Sequence, residues 1–372
     1  MTTAVLRTRA ATMADSVVVG ALQQRLGLVA DAPEDWRRIW LENPWRSADI
    51  PIGWVLEDAG QIIGYIGNVP LSYDLGGQTI RAVAARGWTV DPRYRGGSLA
   101  LLMNYWNQKN VDLLLNSSSN EPAFRIFKRI GAHLLPHAVF GDILFWVTNA
   151  SSFLGAALLR SGLPRPLASA MGRVAGAAWT LKLKIGSRRN DAALARLAQG
   201  YDVRVLSPDQ IDDAFDRLWH KMVGEKRRFL ADRSAPALRW HFSRNPPSVT
   251  VIGCYSGGEL AGYLAYIRKA NAETGFTRHQ VIDLVVVNDE PGVTELLLRH
   301  ARRLSERAGV SVTELIGFPD RVRQQAAAMG AWRRPSFPTP FTFRLVNPAL
   351  VAGEFADPDL WYPSLYDGDG SL

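Results

Sequence analysis

The stretch "DPRYRGGSLALL", residues 91–102, joins two runs of different period. Before it, "AVAARGWTV" (82–90) is apolar enough for a strand. After it, Leu99, Leu102, Met103 and Trp106 recur at i, i+3, i+4 and i+7, one face of a helix. A glycine-rich turn that opens a helix leaves several backbone N–H groups unpaired and pointing one way. With the helix dipole behind them, such donors suit a phosphate. An ordinary strand-to-helix turn reads equally well on this stretch alone, so the rest of the chain has to decide.

Outward from that junction the chain repeats itself. "WLENP" (40–44) is echoed by "FSRNP" (242–246), each closing a helical segment that follows an Ala-Pro pair. "EDAGQIIGYIG" (57–67) is echoed by "YSGGELAGYLA" (255–265), both reading as a hairpin turn followed by a strand. "FKRIGA" (127–132) is echoed by "AAAMGA" (326–331). Gly64 stands 67 residues before Gly131, and Gly262 stands 68 before Gly330. Matches in order at nearly constant spacing indicate two copies of one unit. The predicted helices are 13–26, 33–42, 98–109 and 121–130 in the first copy. In the second they are 208–223, 235–244, 292–307 and 319–329. Gly131 follows the face Ala123, Ile126, Phe127 and Ile130, where a left-handed C-cap belongs. Strands with helices between them predict an α/β or α+β layer structure on mixed sheets.

The domain boundaries expected from this reading are 1–147 and 199–347 for the two units. A basic helical linker over 148–198 joins them, and a C-terminal tail runs from 348 to 372. Residues 143–190 hold no Asp or Glu, only Arg160, Arg165, Arg173, Lys182, Lys184, Arg188 and Arg189 as charges. Two readings of this segment stand side by side. One is a pair of helices packed across the two units; the other is a basic amphipathic surface making peripheral contact with anionic lipid through 143–190.

Composition bounds the rest. The 47% hydrophobic and 21% charged fractions are those of a globular protein with a substantial core. A net charge of +8 and a pI near 9.7 point to an acidic partner: a phosphorylated cofactor, nucleic acid or an anionic membrane surface. Cys254, the single cysteine, excludes an internal disulfide and reads as a small structural residue before a nucleophile. The N-terminal residues lack the apolar run of a signal peptide, and no ~20-residue stretch is free of charge. A cytoplasmic protein is expected, with peripheral association at the inner membrane face as the variant. His133 and His137 are four apart, but Gly131 and Pro136 argue against a helical metal pair, and no metal is expected.

The order of elements, the Arg-x-x-Gly-x-Gly-like loop and the Asn-led helix ending "IFKRIGA" resemble the GNAT superfamily of acyltransferases. The resemblance covers both copies and is most specific over 84–132. The tandem arrangement resembles that of mycothiol synthase or of the Fem-type peptidyl transferases. It implies that the loop Arg95, Gly96, Gly97, Ser98, Leu99 and Ala100 holds the pyrophosphate of acetyl-CoA or another acyl-CoA. The family pattern has glycine where Ser98 stands. The resemblance further implies Trp88 and Val90 against the pantetheine arm, with Asn116 and Ser117 beside the thioester. Asn120 would contact the CoA arm, and Phe127 takes the place of the tyrosine that protonates the leaving thiolate. The second copy reads as degenerate: its junction "VVVNDEPGVTELL" (285–297) carries Asp289 and Glu290, and Ala326 holds the tyrosine position.

The expectation is an acyl-CoA-dependent N-acyltransferase acting on a small-molecule or sugar amine of the kind used in cell-surface polysaccharide synthesis. No DNA partner is expected. Asp283, Asp367 and Asp369 are candidates to hold the acceptor's amino group, each against the alternative of a structural or solvated acid. Two further readings remain: Fem-like transfer from aminoacyl-tRNA, and a non-catalytic protein of the same fold that binds a ligand or partner.

Overall fold

A computed structural model describes residues 6–243, 248–336 and 341–372, without the side chains of 178, 181, 182 and 184. The first half runs β1 (Arg7–Ala10), α1 (Ser16–Arg25), α2 (Pro33–Trp36, continued by a π-turn, Arg37–Leu41), β2 (Gly53–Asp58), β3 (Gln61–Leu75) and β4 (Gln78–Val90). It continues with α3 (Ser98–Trp106), β5 (Leu113–Asn116), α4 (Glu121–Arg129), β6 (His133–Leu134) and β7 (Asp142–Val147). Two linker helices follow, α5 (Ala150–Arg160) and α6 (Arg165–Leu197). The second half repeats the order: β8 (Asp202–Leu206), α7 (Asp213–Glu225), β9 (Phe229–Ala231), α8 (Ala235–Phe242), β10 (Val249–Ser256), β11 (Glu259–Ala270) and β12 (Thr277–Val286). It closes with α9 (Pro291–Arg307), β13 (Val312–Ile316), α10 (Asp320–Ala328), β14 (Trp332–Pro335) and β15 (Thr342–Leu345).

The repeated glycines do repeated work. Gly131 and Gly330 take φ of +98° and +79° just past α4 and α10, a conformation that costs a residue with Cβ about 1 kcal/mol or more. A Cβ on Gly64 would stand 3.0 Å from Leu101, and one on Gly262 would meet the Val285 carbonyl at 2.7 Å. Both positions mark close approach of strand to neighbour. Of the "FSRNP" echo, residues 244–246 lie outside the described residues.

Each half builds a mixed sheet, and the halves exchange strands. The first sheet runs β1-β2-β3-β4-β5-β15-β6, with β9 paired to β3 off this path, and the second runs β14-β7-β13-β12-β11-β10-β8. Pairing is antiparallel except for β4 with β5 and β12 with β13. β7 leaves the first half to pair with β13, and β15 returns from the second to pair with β5. The stretch 1–147 therefore lends β7 to the second sheet, and 199–347 lends β15 and β9 to the first.

The packing seals that exchange. One apolar cluster draws Trp36, Trp40, Tyr65 and Tyr73 from the first half and Phe215, Tyr263 and Ile282 from the second. Each such side chain contributes about 1.5–3 kcal/mol when fully buried, so the two sheets share a large part of their stability. On the far face of the first sheet Leu101, Leu102, Tyr105 and Phe127 of α3 and α4 form a separate cluster. The linker helices do not pack between the two sheets as one reading expects. Phe153, Trp179 and Leu183 lie on β7 and β13, and Asn190 and Ser187 bond to α9. The segment 348–372 is not a solvated tail: Phe355, Trp361, Tyr362, Tyr366 and Leu372 are buried.

Candidate active site

β4 and β5 pair only from Ala82 with Leu113 to Ala84 with Leu115, and then part. Beyond Ala84, β4 keeps β3 as its strand neighbour. Tyr65 stands opposite Thr89 but Gly67 opposite Arg86, so β4 carries an extra residue there. Gly87, at φ +61°, is the residue that allows this bulge, which re-aims Trp88. Tyr105 fastens the fork where the strands separate: its hydroxyl donates to the Leu115 carbonyl at 2.7 Å, with that of Val83 3.1 Å away. Burial drives the Tyr105 pKa far above its ordinary value, which leaves this phenol a clip and not an acid.

The fork opens on a cavity of about 830 Å³. Its walls come from α1 (Gln23), the α1–α2 connection (Asp31), the bulge (Arg86, Trp88), the end of β5 (Asn116), the β5–α4 turn (Ser118, Ser119, Asn120), α4 (Phe127), the second sheet (Arg268, Lys269) and the C-terminal segment (Asp369, Leu372). Gln23 Oε1, Trp88 Nε1, Asn116 Nδ2 and Ser119 Oγ are buried there without a partner among the described residues. An unpaired buried polar atom costs about 1–3 kcal/mol, so four of them around one cavity point to a polar ligand. Asn120 is committed locally, its side chain capping α4 through the Ala123 amide at 3.1 Å.

The C-terminal segment ties this fork to the second one. β12 and β13 likewise part beyond Val281 and Leu315. There the gap is filled by the chain itself: the Phe318 amide donates to the Pro363 carbonyl at 2.6 Å, Tyr366 N to Ile282 O at 3.0 Å, and Tyr362 Oη to Leu284 O at 2.6 Å. The junction before α9 is equally closed to phosphate, because Asp289 is engaged by Lys226 at 2.9 Å, by Arg321 at 2.7 Å and by Arg228. The segment then crosses to the first fork. Ser117 Oγ donates to Asp369 Oδ1 and Ser118 Oγ to Oδ2, both at 2.7 Å, and the Asp369 amide donates to Ser117 Oγ at 3.0 Å. Beside it Arg86 holds Asp31 in a two-point ion pair of 2.7 and 2.9 Å.

Asp283 and Asp367 do not face the cavity, which corrects their expected role at the acceptor. Asp283 is fully buried, bonded by Arg233 at 3.0 and 3.1 Å and by the Tyr263 hydroxyl at 2.6 Å. Asp367 accepts from the Ser364 amide at 2.8 Å, and burial, opposed by Arg233, pushes its pKa up to about 6. Both anchor the segment that delivers Asp369. Cys254 is buried on β10 with its thiol pushed up to about 11, no environment for a nucleophile.

The loop before α3 has a different build from the one its glycines suggest. Pro92–Gly97 forms a 3-10 turn that runs straight into the helix, capped by Asp91 accepting from the Arg93 amide at 3.1 Å. Arg93 holds the Asp91 carboxyl down to about 2. Gly97 is buried and at an ordinary φ; a Cβ there would stand 2.5 Å from Leu56, so this glycine serves helix–sheet packing. Gly96 faces open space, and Ser98, at φ −59°, ψ −37°, takes the glycine position without strain. Arg95, Gly96, Leu99 and Ala100 are exposed, and the loop lies outside the cavity wall. Val90 also leaves the cavity, packing with the α3 cluster.

No protein-family model matches the sequence, and no curated protein does. Solved structures do. A GCN5-related N-acetyltransferase from Kribbella flavida superposes with a TM-score of 0.55 at 13% identity, over 92% of this chain and 71% of that one. A probable N-acyltransferase from Enterococcus faecalis gives 0.57 at 11% identity, over 92% and 72%. The Saccharomyces cerevisiae N-myristoyltransferase with bound myristoyl-CoA gives 0.52 at 12% identity, over 91% and 78%. The chain has the GNAT fold. At such identities the likeness shows the fold and leaves the chemistry to the site.

In this GNAT fold the structure brings Trp88, Asn116, Asn120, Phe127 and Asp369 to one cavity, with Ser117 bonded to the last. Phe127 is 3% exposed, its ring 5.9 Å from Trp88 and 6.2 Å from Trp106. Gln23, Asp31, Arg86, Ser118, Ser119, Arg268 and Lys269 were not anticipated. Arg86 had a signal, as a lone charge inside an apolar strand; the others come from distant elements that spacing does not relate.

Proposed function

We propose that this chain is an acyl-CoA-dependent N-acyltransferase with its donor site in the β4–β5 fork. The observation that carries the reading is the fork itself, a strand edge left free beside four buried polar atoms that have no partner among the described residues. An edge beyond Ala84 presents alternating N–H and C=O groups, which suit the amides of a pantetheine arm. Trp88 and Asn116 would flank the arm. Arg95 and the open backbone at Gly96 would meet the phosphates, helped by the α3 N-terminus.

Bound acyl-CoA supplies an activated thioester. What this chain supplies is placement and charge. Asp369, held by the two serine hydroxyls, would bind the acceptor's ammonium and take its proton before attack on the carbonyl. Free N–H groups on β4 would stabilise the developing oxyanion. Phe127 cannot protonate the departing thiolate, so that sulfur would leave as the anion beside Arg86 and then take, through water, the second proton that the attacking nitrogen sheds as the amide forms. The polar lining from Ser118 and Ser119 beside Asp369 fits a hydroxyl-rich amine such as an amino sugar. Titration calorimetry with acetyl-CoA and CoA tests the reading: micromolar binding that weakens in Trp88→Ala is expected. Absence of binding at millimolar ligand would overturn it. Binding without turnover on any amine would leave the non-catalytic alternative.

A further inference from the structure

The linker hairpin carries a surface the acyl-transfer reading does not use. On α6, Ala168, Gly172 and Gly176 are buried; a Cβ on Gly172 would lie 2.8 Å from Gly155, and one on Gly176 2.8 Å from the Ser151 backbone. Trp179 and Leu183 face the second sheet. Away from that packed face, Leu167, Met171, Val174 and Ile185 are 56%, 50%, 77% and 49% exposed. At 100° per residue these four fall within an arc of about 60°. Arg188 and Arg189 lie within about 60° of the same axis, and both are exposed. Arg160, at the hairpin tip, is exposed as well.

Charge identifies what covers the stripe. No acid occurs from 143 to 190, so a second copy meeting this face would bring arginine against arginine. No helix of the described residues is long and apolar enough to cross a membrane. A helix with one apolar stripe and, up to Asn190, only positive charge beside it lies in the plane of an anionic interface. We infer that α6 docks the protein on anionic bilayer surfaces through Leu167, Met171, Val174 and Ile185, with Arg188 and Arg189 at the headgroups.

Co-sedimentation of the full chain with phosphatidylcholine vesicles, with and without about one quarter phosphatidylglycerol, tests this. Binding at roughly 0.1 M salt should be at least about tenfold tighter to the anionic vesicles and should weaken toward 0.5 M as the charge attraction is screened. Leu167→Glu with Val174→Glu should abolish it, and Arg188→Glu with Arg189→Glu should remove its salt dependence. All four positions are exposed, so the variants should melt with the parent. Three outcomes would overturn the inference: no sedimentation with anionic vesicles, binding that both variants retain, or a dimer in solution that Leu167→Glu with Val174→Glu dissociates.

Discussion

Ser117 and Asp369 are bonded twice across the fork, hydroxyl to carboxylate at 2.7 Å and amide to hydroxyl at 3.0 Å, from positions 252 residues apart in the chain. If this carboxylate takes the acceptor's proton, Asp369→Asn should lower kcat/KM by roughly a hundredfold or more and leave CoA affinity within about twofold. Ser117→Ala should cost less, because Ser118 still holds the other oxygen. The measurement is steady-state kinetics beside calorimetry. Equal losses in kcat/KM and CoA affinity would mean that Asp369 serves structure.

The loop before α3 separates its two glycines. Gly96→Ala should leave the melting temperature unchanged, since its Cβ would meet nothing within 4 Å. Gly97→Val should lower stability by about 1–3 kcal/mol through overpacking against Leu56. Arg95→Glu should weaken CoA about tenfold with no effect on melting. Calorimetry and thermal scans distinguish the three.

Phe127 belongs to the aromatic cluster of Trp88, Tyr105 and Trp106. Phe127→Ala should cost about 3–5 kcal/mol by urea unfolding, the range for removing a buried ring. A loss below about 1 kcal/mol would show a ring that is not packed core.

Asp283 and Arg233 form a pair exposed by no more than 2% on either side chain. Asp283→Ala leaves the guanidinium buried without its partner and should cost about 3–5 kcal/mol. At permissive temperature CoA affinity should stay close to wild type, because Asp283 reaches neither the free edge of β4 nor the cavity.

Asp367 gives the fold a pH dependence. Its folded pKa is raised to about 6 from an ordinary 3.8, so the folded state holds the proton more tightly. Below about pH 4 both states are protonated and nothing is lost. Between about 4 and 6 the unfolded chain releases its proton first, and stability falls as pH rises, by at most on the order of 3 kcal/mol. Asp367→Asn should flatten that slope and raise the melting temperature at pH 7.5, with its carbonyl still accepting from the Ser364 amide.

Local order was legible because it is written in neighbouring residues. The helix expected over 98–109, and found over 98–106, follows from Leu99, Leu102, Met103 and Trp106, and the left-handed stops at Gly131 and Gly330 follow from the missing Cβ. The recurrence of 57–67 at 255–265 reported two units of one fold. These are short-range properties, set by 3.6-residue periodicity, backbone sterics and turn chemistry. That Phe127 stands where a proton donor would be needed is implied by the resemblance to the GNAT superfamily and not by residue type.

What only the tertiary structure decided is where distant residues meet. Asp283, Asp367 and Asp369 are alike as acids in sequence; burial beside Arg233 makes the first two structural, and the path of 361–369 carries the third to Ser117. Gly97 reads as a phosphate-facing glycine until Leu56 is placed beside it. The exchange of β7 and β15 leaves no local mark, because either strand is equally apolar whichever sheet it joins. The apolar residues of α6 satisfy both a packed and an exposed reading, and the side on which Gly155, Gly172 and Gly176 let the helices close is what turns Leu167 and Val174 outward. In each case the deciding term is a contact between residues far apart in the chain, whose free energy exists only once both partners are held in place.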